Sequence, residues 1–120
     1  MILLDSNLII YSTDPSQILV RRFIAENETG ASAISYVETL GFHQISMHQK
    51  SSLESFFAAI EVLPLDPPVI EHAVYLRQQR RMSLGDALIA GTALAHDLPL
   101  ATNDIRDFRN IPGLKILTPV

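Results

Sequence analysis

The hydrophobic residues of the chain fall into short apolar runs separated by longer stretches with helical periodicity. Residues 2–4, Ile-Leu-Leu, form an apolar run that ends at Asp5, which is typical of a short buried strand. Four further strands are predicted where short apolar runs are bounded by Gly, Pro, Asn or Asp, at 31–35, 61–66, 98–102 and 114–119. The pattern therefore predicts about five short strands along the chain.

Helices are predicted between these strands. The run 7–12, NLIIYS, leads to Asp14-Pro15, a cap and first-turn proline that predict a helix over 16–27, and Pro67-Pro68 predicts a second over 69–81. Apolar positions from Val37 to Met47 suggest a helix that starts at Ser35, and this helix and another over 52–60 are expected to pair as a helical hairpin. An Ala-rich helix runs from Ser83 to near His96, and NDIRDF at 103–108 is a turn or a single helical turn.

The alternation of strands and helices predicts an α/β fold with a mainly parallel central sheet of about four to five strands, covered by helices. A chain of 120 residues has the length of one ordinary domain, and no repeat or long linker divides it. We therefore expect a single domain over residues 1–120.

Composition narrows the function classes. The absence of cysteine excludes disulfide frameworks, thiolate metal sites and cysteine nucleophiles, and it suits a reducing compartment, so we expect a cytoplasmic protein. The first residues, MILLDSN, lack the basic lead of a signal peptide, and no apolar run approaches the ~20 residues that span a bilayer, so we expect no membrane partner.

The net charge of −4 argues against binding nucleic acid mainly through bulk electrostatics. Local basic clusters remain, the larger formed by Arg77, Arg80 and Arg81 and the smaller by Arg21 and Arg22. Favourable cations at a helix C-terminus account for the larger cluster, and contact with phosphate is the alternative.

Acidic residues follow the predicted strands at the positions where parallel sheets bind ligands. Asp5 follows the first strand, Glu38 lies about one helical turn after the second, and Asp104 follows the strand at 98–102. Asp86 heads the Ala-rich helix. We expect these four carboxylates to converge at one edge of the sheet, and hard oxygen ligands without cysteine or paired histidine favour Mg²⁺ or Mn²⁺ over zinc.

Each acid also has a local explanation. Ser35-x-x-Glu38 and Ser83-x-x-Asp86 have the spacing of a capping box, and Asp5 and Asp104 suit turn and cap positions. On that interpretation the protein is a non-catalytic α/β interaction module, in which apolar residues of 42–60 form a groove for a partner. A phosphotransfer or receiver-like domain is a third possibility. Such a domain requires a second acid beside the first strand-end aspartate, and this chain has none beside Asp5.

Four segments resemble one known family. They are LLDSNLIIY at 3–11, ISYVETLGF at 34–42, SLGDALIAGTALAHDLPLATND at 83–104 and DFRNIPGLKILTP at 107–119. Together they are similar to the PIN domain, and specifically to VapC-like ribonuclease toxins of type II toxin–antitoxin systems. The resemblance covers nearly the whole chain and is most specific between Leu84 and Phe108.

The resemblance implies a PIN-like fold and a metal-dependent endoribonuclease. It implies that Asp5, Glu38, Asp86 and Asp104 form a catalytic cluster that holds magnesium or manganese. In the mechanism that we expect, Asp5 and Asp86 bind the metal, Asp104 completes or bridges the site, and Glu38 orients or deprotonates the attacking water. It also implies an RNA substrate, a cognate antitoxin whose helical tail occupies a hydrophobic groove, and a homodimer.

The last metal ligand is open on this comparison, because the family often has Asn or Asp where this chain has Asp104 and a further acid at the position of Asp107. We expect Asp104, which is nearer the strand end, to bind the ion. Asn7 is a candidate for supporting the site or the substrate, and Ser6 and Thr102 are weaker candidates for the same role.

Overall fold

Five short apolar segments form one sheet in which every paired strand is parallel. The strands are β1 (Ile2–Leu4), β2 (Thr29–Ser32), β3 (Glu61–Leu63), β4 (Leu100–Ala101) and β5 (Ile116–Leu117), in the spatial order β3-β2-β1-β4-β5. In the register of the central strand, Leu3 lies between Gly30 and Leu100. The computed structural model describes residues 1–119, so Val120, the last residue of the expected domain, lies outside this description.

Seven helices cover the sheet within residues 1–119. They are α1 (Ser6–Ser12), α2 (Ile18–Glu26), α3 (Ala33–Leu40), α4 (Met47–Ala59), α5 (Pro67–Gln79), α6 (Leu84–Ala95) and α7 (Ile105–Phe108). None of these described helices is long and apolar enough to cross a membrane. The predicted α/β fold with a parallel sheet is confirmed.

The central strand is buried on both faces. Successive side chains of a strand point to opposite sides, so Leu3 and Leu4 belong to different parts of the core. Leu3 packs in a cluster that includes Ile89 and Phe108, whereas Leu4 packs in one that includes Leu8 and Phe57. The sheet is therefore a middle layer between α6 and α7 on one side and α1 and α4 on the other.

Helices α5 and α6 pack unusually close together. A Cβ atom at Gly91 would lie 2.7 Å from the carbonyl oxygen of Val69 and 3.2 Å from the backbone nitrogen of Ala73. Only residues 80–83 separate the two helices. The end of α5 therefore lies beside the start of α6, where Asp86 is found.

Several predicted boundaries are wrong. β2 is 29–32 rather than 31–35, and Ser32 caps α3, which begins at Ala33 instead of Ser35. Helix α3 also ends at Leu40, with Gly41 as its C-cap, and does not extend to Met47 as the apolar pattern suggested. Asp14-Pro15 does not start α2, because the Asp14 carboxylate accepts hydrogen bonds from Ser16 in a separate turn and the helix begins at Ile18.

Two other helices were misjudged. The run NLIIYS is part of α1, which begins directly after β1 and was not predicted. Helix α4 begins at Met47 rather than 52, because Ser46 and Gln49 form a capping box that the prediction overlooked. The helix after Pro67-Pro68, the Ala-rich helix ending at His96 and the single turn at 105–108 are confirmed.

Candidate active site

The ends of the two neighbouring strands β1 and β4 bring Asp5 and Thr102 side by side. Leu4 lies opposite Ala101 in the register, and each is followed by one of these residues. Asp5 is only 4% exposed, and the buried Thr102 hydroxyl donates a 2.7 Å hydrogen bond to its Oδ2 atom. The same hydroxyl accepts a 2.9 Å bond from the backbone nitrogen of Asp104. Thr102 thus fixes the positions of both acids.

The first turn of α1 reaches two further acids. Asn7 Nδ2 donates a 2.6 Å hydrogen bond to Asp104 Oδ2. Ser6 Oγ lies 2.9 Å from Glu38 Oε1 and 2.8 Å from the hydroxyl of Ser35, which is buried in α3. Because α1 begins immediately after Asp5, three consecutive residues contribute to the site.

Glu38 lies against the backbone of α6. A methyl group at position 85 would overlap Glu38 Oε2, so glycine at this position leaves the space that the carboxylate occupies. The next residue along α6 is Asp86. The bare backbone at Gly85 therefore lets an acid from α3 approach an acid from α6.

Burial and neighbouring charges change the acidity of Asp5. Burial, together with the charges of Asp86 and Asp104, raises the pKa of the Asp5 carboxyl from 3.8 to about 6. Hydrogen bonds from Thr102 and from the Ser6 backbone oppose it. The protein thus holds a buried carboxylate among like charges.

The charges of three other acids act on the Asp86 carboxyl. Burial raises the pKa of its carboxyl, followed by the charge of Asp107 and then by those of Glu38 and Asp104, while a hydrogen bond with Ser83 opposes the rise. Asp107 lies on α7, one turn from Asp104. The structure therefore brings together all four predicted acids and the reserve candidate Asp107.

No cation compensates this cluster within residues 1–119, where the single ion pair joins Arg22 to Glu26. Unpaired carboxylates that raise one another's pKa destabilise the protein unless a cation binds. Such an arrangement is typical of functional sites, where strained electrostatics are retained for chemistry.

Helix capping does not explain the acids. Asp5 and Asp104 occupy the N-cap positions of α1 and α7, but neither side chain makes a capping hydrogen bond. Glu38 is the sixth residue of α3, so the proposed capping box with Ser35 is wrong. Asp86 is the third residue of α6, where the cap is the Ser83 side chain, which accepts a bond from the Asp86 backbone.

The donor atoms suit a hard divalent cation. The acids, Asn7 and Thr102 all offer oxygen, which Mg²⁺ and Mn²⁺ prefer. Among residues 1–119, no three His, Cys, Asp or Glu side chains are arranged as they stand to hold one metal ion. Magnesium usually binds one or two carboxylates directly and keeps several waters, so the residues fit this kind of ion without a closed cage.

Sequence reasoning missed two residues that shape the site. Ser35 was interpreted as a helix cap, whereas it is buried inside α3 and contacts Ser6. Gly85 was not singled out, because its function depends on a contact with Glu38, which lies far away in sequence.

The Asn103 Oδ1 atom, beside Thr102 and Asp104, is buried without a hydrogen-bond partner among the described residues.

Comparisons with known proteins identify the family of the chain. The PIN domain family model matches residues 2–114. The tRNA(fMet)-specific endonuclease VapC of Shigella flexneri is 27% identical over 123 residues, covering 94% of this chain and 93% of the relative.

Solved structures show the same fold. A DNA-bound VapBC from Salmonella typhimurium superposes with a TM-score of 0.84 at 26% identity, covering the whole of both chains. A toxin–antitoxin complex from Klebsiella pneumoniae gives a TM-score of 0.83 at 26% identity, covering 100% of this chain and 98% of the other. The chain belongs to the PIN domain family, and within it the chain resembles the VapC toxins.

Proposed function

We propose that this protein is a metal-dependent endoribonuclease and the toxin of a toxin–antitoxin pair. The observation that carries the proposal is the convergence of Asp5, Glu38, Asp86, Asp104 and Asp107 at one edge of the sheet, with no compensating cation among residues 1–119. The similar VapC proteins act on tRNA(fMet), which makes a structured RNA the first substrate class to test.

In this proposal Asp5 and Asp86 bind Mg²⁺ or Mn²⁺ directly, and Asp104 completes the site. The bound ion supplies positive charge for the scissile phosphate and lowers the pKa of a water molecule. Thr102 holds the Asp5 carboxylate through its hydroxyl, and Asn7 holds that of Asp104. These hydrogen bonds keep the carboxylates in place before the substrate arrives, which is what rapid chemistry requires.

Glu38 is the residue that we assign to the attacking water. Glu38 is an exposed residue, and its carboxylate accepts a hydrogen bond from Ser6 and lies against Gly85. A carboxylate held in this way can orient a water molecule and accept its proton. Asp107 remains the alternative to Asp104 as the last ligand, because its charge acts most strongly on Asp86.

We further propose that an antitoxin protein covers the apolar cleft between α1, α3 and α4, and that the toxin acts in the cytoplasm as a homodimer. The cleft has a volume of about 250 Å³ and is lined mainly by apolar side chains, including Ile10, Phe42, Ile45 and Leu53. Phe42 is 52% exposed, although such side chains are usually buried. The similar solved structures include toxin–antitoxin complexes, which supports this partner.

The test is cleavage of purified tRNA(fMet), other tRNAs and single-stranded RNA by protein freed of its partner, in Mg²⁺, in Mn²⁺ and in chelator. Asp5→Asn and Asp86→Asn should each reduce cleavage by at least about a thousandfold, because each removes a charged ligand. Asp14→Asn is the matched control, since Asp14 is exposed and bonded only within its own turn.

Both site variants should fold as stably as the wild type in chelator, or more stably, because each removes a repelling charge. Cutting that survives in both variants would identify a contaminating nuclease. A marked loss of helical signal in Asp86→Asn would show instead that this acid is structural.

A further inference from the structure

Arginine side chains gather where α5 and α7 end. Arg77 lies in the last turn of α5, Arg80 and Arg81 follow it, and Arg106 and Arg109 lie on and directly after α7. Arg80 Nη1 donates a 2.6 Å hydrogen bond to the carbonyl oxygen of Arg109. This bond holds two segments that are distant in sequence against each other. We call these five residues the arginine surface.

The arginine surface is an exception to the charge of the chain. It contains five of the nine Lys and Arg residues, whereas its segments, 75–81 and 105–112, contain only Asp107 of the thirteen acids. None of the five arginines forms an ion pair among the described residues. Uncompensated guanidinium groups on an otherwise acidic protein attract an anionic partner locally, and arginine recognises phosphate particularly well.

A cleft beside these cations is lined by an aromatic side chain as well as by arginines. Its volume is about 470 Å³, and its lining includes Tyr75, Gln79, Arg80, Arg81 and Asn110. Tyr75 is 59% exposed. An exposed aromatic ring next to arginines is the combination that binds single-stranded nucleic acid, with bases stacking on the ring and phosphates contacting the cations.

The cleft also lies next to the acid cluster. Helix α7 carries Asp107, whose charge acts on Asp86, and Arg106 and Arg109 lie within two residues of Asp107. Helix α6, which carries Asp86, is separated from the end of α5 by only four residues. A strand whose phosphate lies at the acids would thus reach the arginine surface within a few nucleotides.

We propose that the arginine surface binds the phosphates of the RNA strand next to the cleavage position and that Tyr75 stacks on one of its bases. This inference rests on the proposed nuclease function, since it assigns a binding surface to the same substrate.

The test compares two triple variants with the same change in charge. Arg81→Gln/Arg106→Gln/Arg109→Gln removes three exposed cations of the arginine surface, and Arg21→Gln/Arg22→Gln/Lys50→Gln removes three from α2 and α4. Binding to a labelled single-stranded RNA oligonucleotide is measured by fluorescence anisotropy at several salt concentrations, with Asp86→Asn present in every protein to prevent cleavage. Arg81→Gln alone serves as a milder variant if the triple variant does not fold.

The first triple variant should bind at least about tenfold more weakly and should lose about 2 from the slope of log K against log salt. The second should stay within about twofold of its parent. Equal weakening in both would reduce the effect to net charge and overturn the proposal, as would an unchanged Kd in the first. Tyr75→Ala should weaken binding about tenfold with no change in the salt slope.

Cleavage assays with Asp86 intact separate this proposal from the nuclease function. The first triple variant should show a raised KM with little change in kcat, because the acids that perform the reaction are untouched. If it cuts RNA with the wild-type KM, the arginine surface is refuted and the nuclease function stands. If the wild type neither cuts nor binds RNA, both proposals fail.

Discussion

Thr102 shows how one buried hydroxyl can organise two acids. It donates to Asp5 and accepts from the Asp104 backbone, so the end of β4 fixes the side chain that ends β1. This position is energetically unfavourable for the charged form of Asp5, because an almost fully buried carboxylate loses its contact with water. The consequence is a charge that the folded protein holds at some cost in stability.

The stability of Asp5→Asn should depend on pH in a defined direction. The pKa of Asp5 is raised in the folded protein to about 6, so its stabilising contribution is complete below about pH 3.8 and is lost as the pH rises through about 6. A pKa shift of this size lowers the free energy of unfolding of the wild type by about 3 kcal/mol above about pH 6, relative to low pH. In chelator, Asp5→Asn should therefore unfold at higher urea than the wild type near neutral pH, with the difference shrinking near pH 4.

Asp14→Asn provides a control of opposite sign. Hydrogen bonds from the Ser16 backbone and side chain lower the pKa of Asp14, so its contribution is present above its unfolded pKa and is lost as the pH falls. This exposed residue should give a small loss of stability near neutral pH when replaced. An Asp5→Asn variant less stable than the wild type at every pH would contradict the cost of the buried Asp5 charge that we infer.

Gly85→Ala should damage activity more than stability. The added methyl group would overlap Glu38 Oε2, and the exposed Glu38 side chain can rotate away from it at little cost to the fold. We expect kcat to fall about ten- to a hundredfold, since small displacements of catalytic groups have effects of this size. Melting temperature and RNA cleavage, measured on the same preparation, separate the two effects.

Glu38→Ala tests the cause of that loss. If Gly85→Ala acts by moving Glu38, it should produce no further loss in a protein that already lacks this carboxylate. An additional loss of similar size in the double variant would show that Gly85 acts through another part of the site.

At the scale of elements, α6 packs closely against α5 and carries Asp86 in its first turn. Gly91 allows its backbone to approach α5, while Ser83 caps its first turn and Asp86 projects from that turn. The small residues of this helix let it pack tightly on its neighbours. A site on a tightly packed helix keeps its geometry better than one on a loop.

Gly91→Ala should therefore destabilise the protein, even though alanine is the better helix former by about 1 kcal/mol. The new Cβ atom would meet backbone atoms of Val69 and Ala73, which cannot rotate away, so α5 and α6 must separate. We expect a net loss of about 1–3 kcal/mol in the free energy of unfolding, measured by urea denaturation. Gly85→Ala, the same substitution on the same helix, is the contrast, and equal stability of the two variants would contradict the close approach.

Much of this fold can be predicted from sequence because its elements have strong local signals. Pro67-Pro68 marks the start of α5, and the Asp5 that ends the first apolar run does lie at the sheet edge. Helix α1 has no comparable signal: it is seven residues long and lacks a side-chain cap, and it exists because tertiary contacts bury Leu8 and Ile9. The start of α3 was misplaced because Ser32 and Ser35 are both acceptable caps by sequence alone.

The candidate site was only partly predictable for a related reason. The types and order of the acids follow from sequence, since strand ends of a parallel sheet meet at one edge. The contacts of Gly85 with Glu38 and of Asn7 with Asp104 join residues that are far apart in the chain, and only the packed structure shows them. The choice between Asp104 and Asp107 also depends on side-chain positions around a bound ion.

At the scale of the whole molecule, acidic and basic side chains lie in two neighbouring regions. Acids from four separate segments meet at one edge of the sheet, and the arginine surface lies beside them. An RNA phosphate would be attracted by the arginines but repelled by unoccupied carboxylates. The molecule as a whole is therefore expected to bind RNA well only when a divalent cation neutralises the acids.

The measurement that tests the proposed metal site most directly is calorimetric titration of Mg²⁺ or Mn²⁺ in the absence of RNA. The proteins compared are the partner-free wild type, Asp86→Asn and the control Asp14→Asn. We predict that the wild type and Asp14→Asn bind the ion with the same affinity and that Asp86→Asn binds it at least about tenfold more weakly, because Asp86 is the carboxylate around which the other charges meet. Equal affinity in all three proteins, or no binding to the wild type, would contradict a metal site built from these acids.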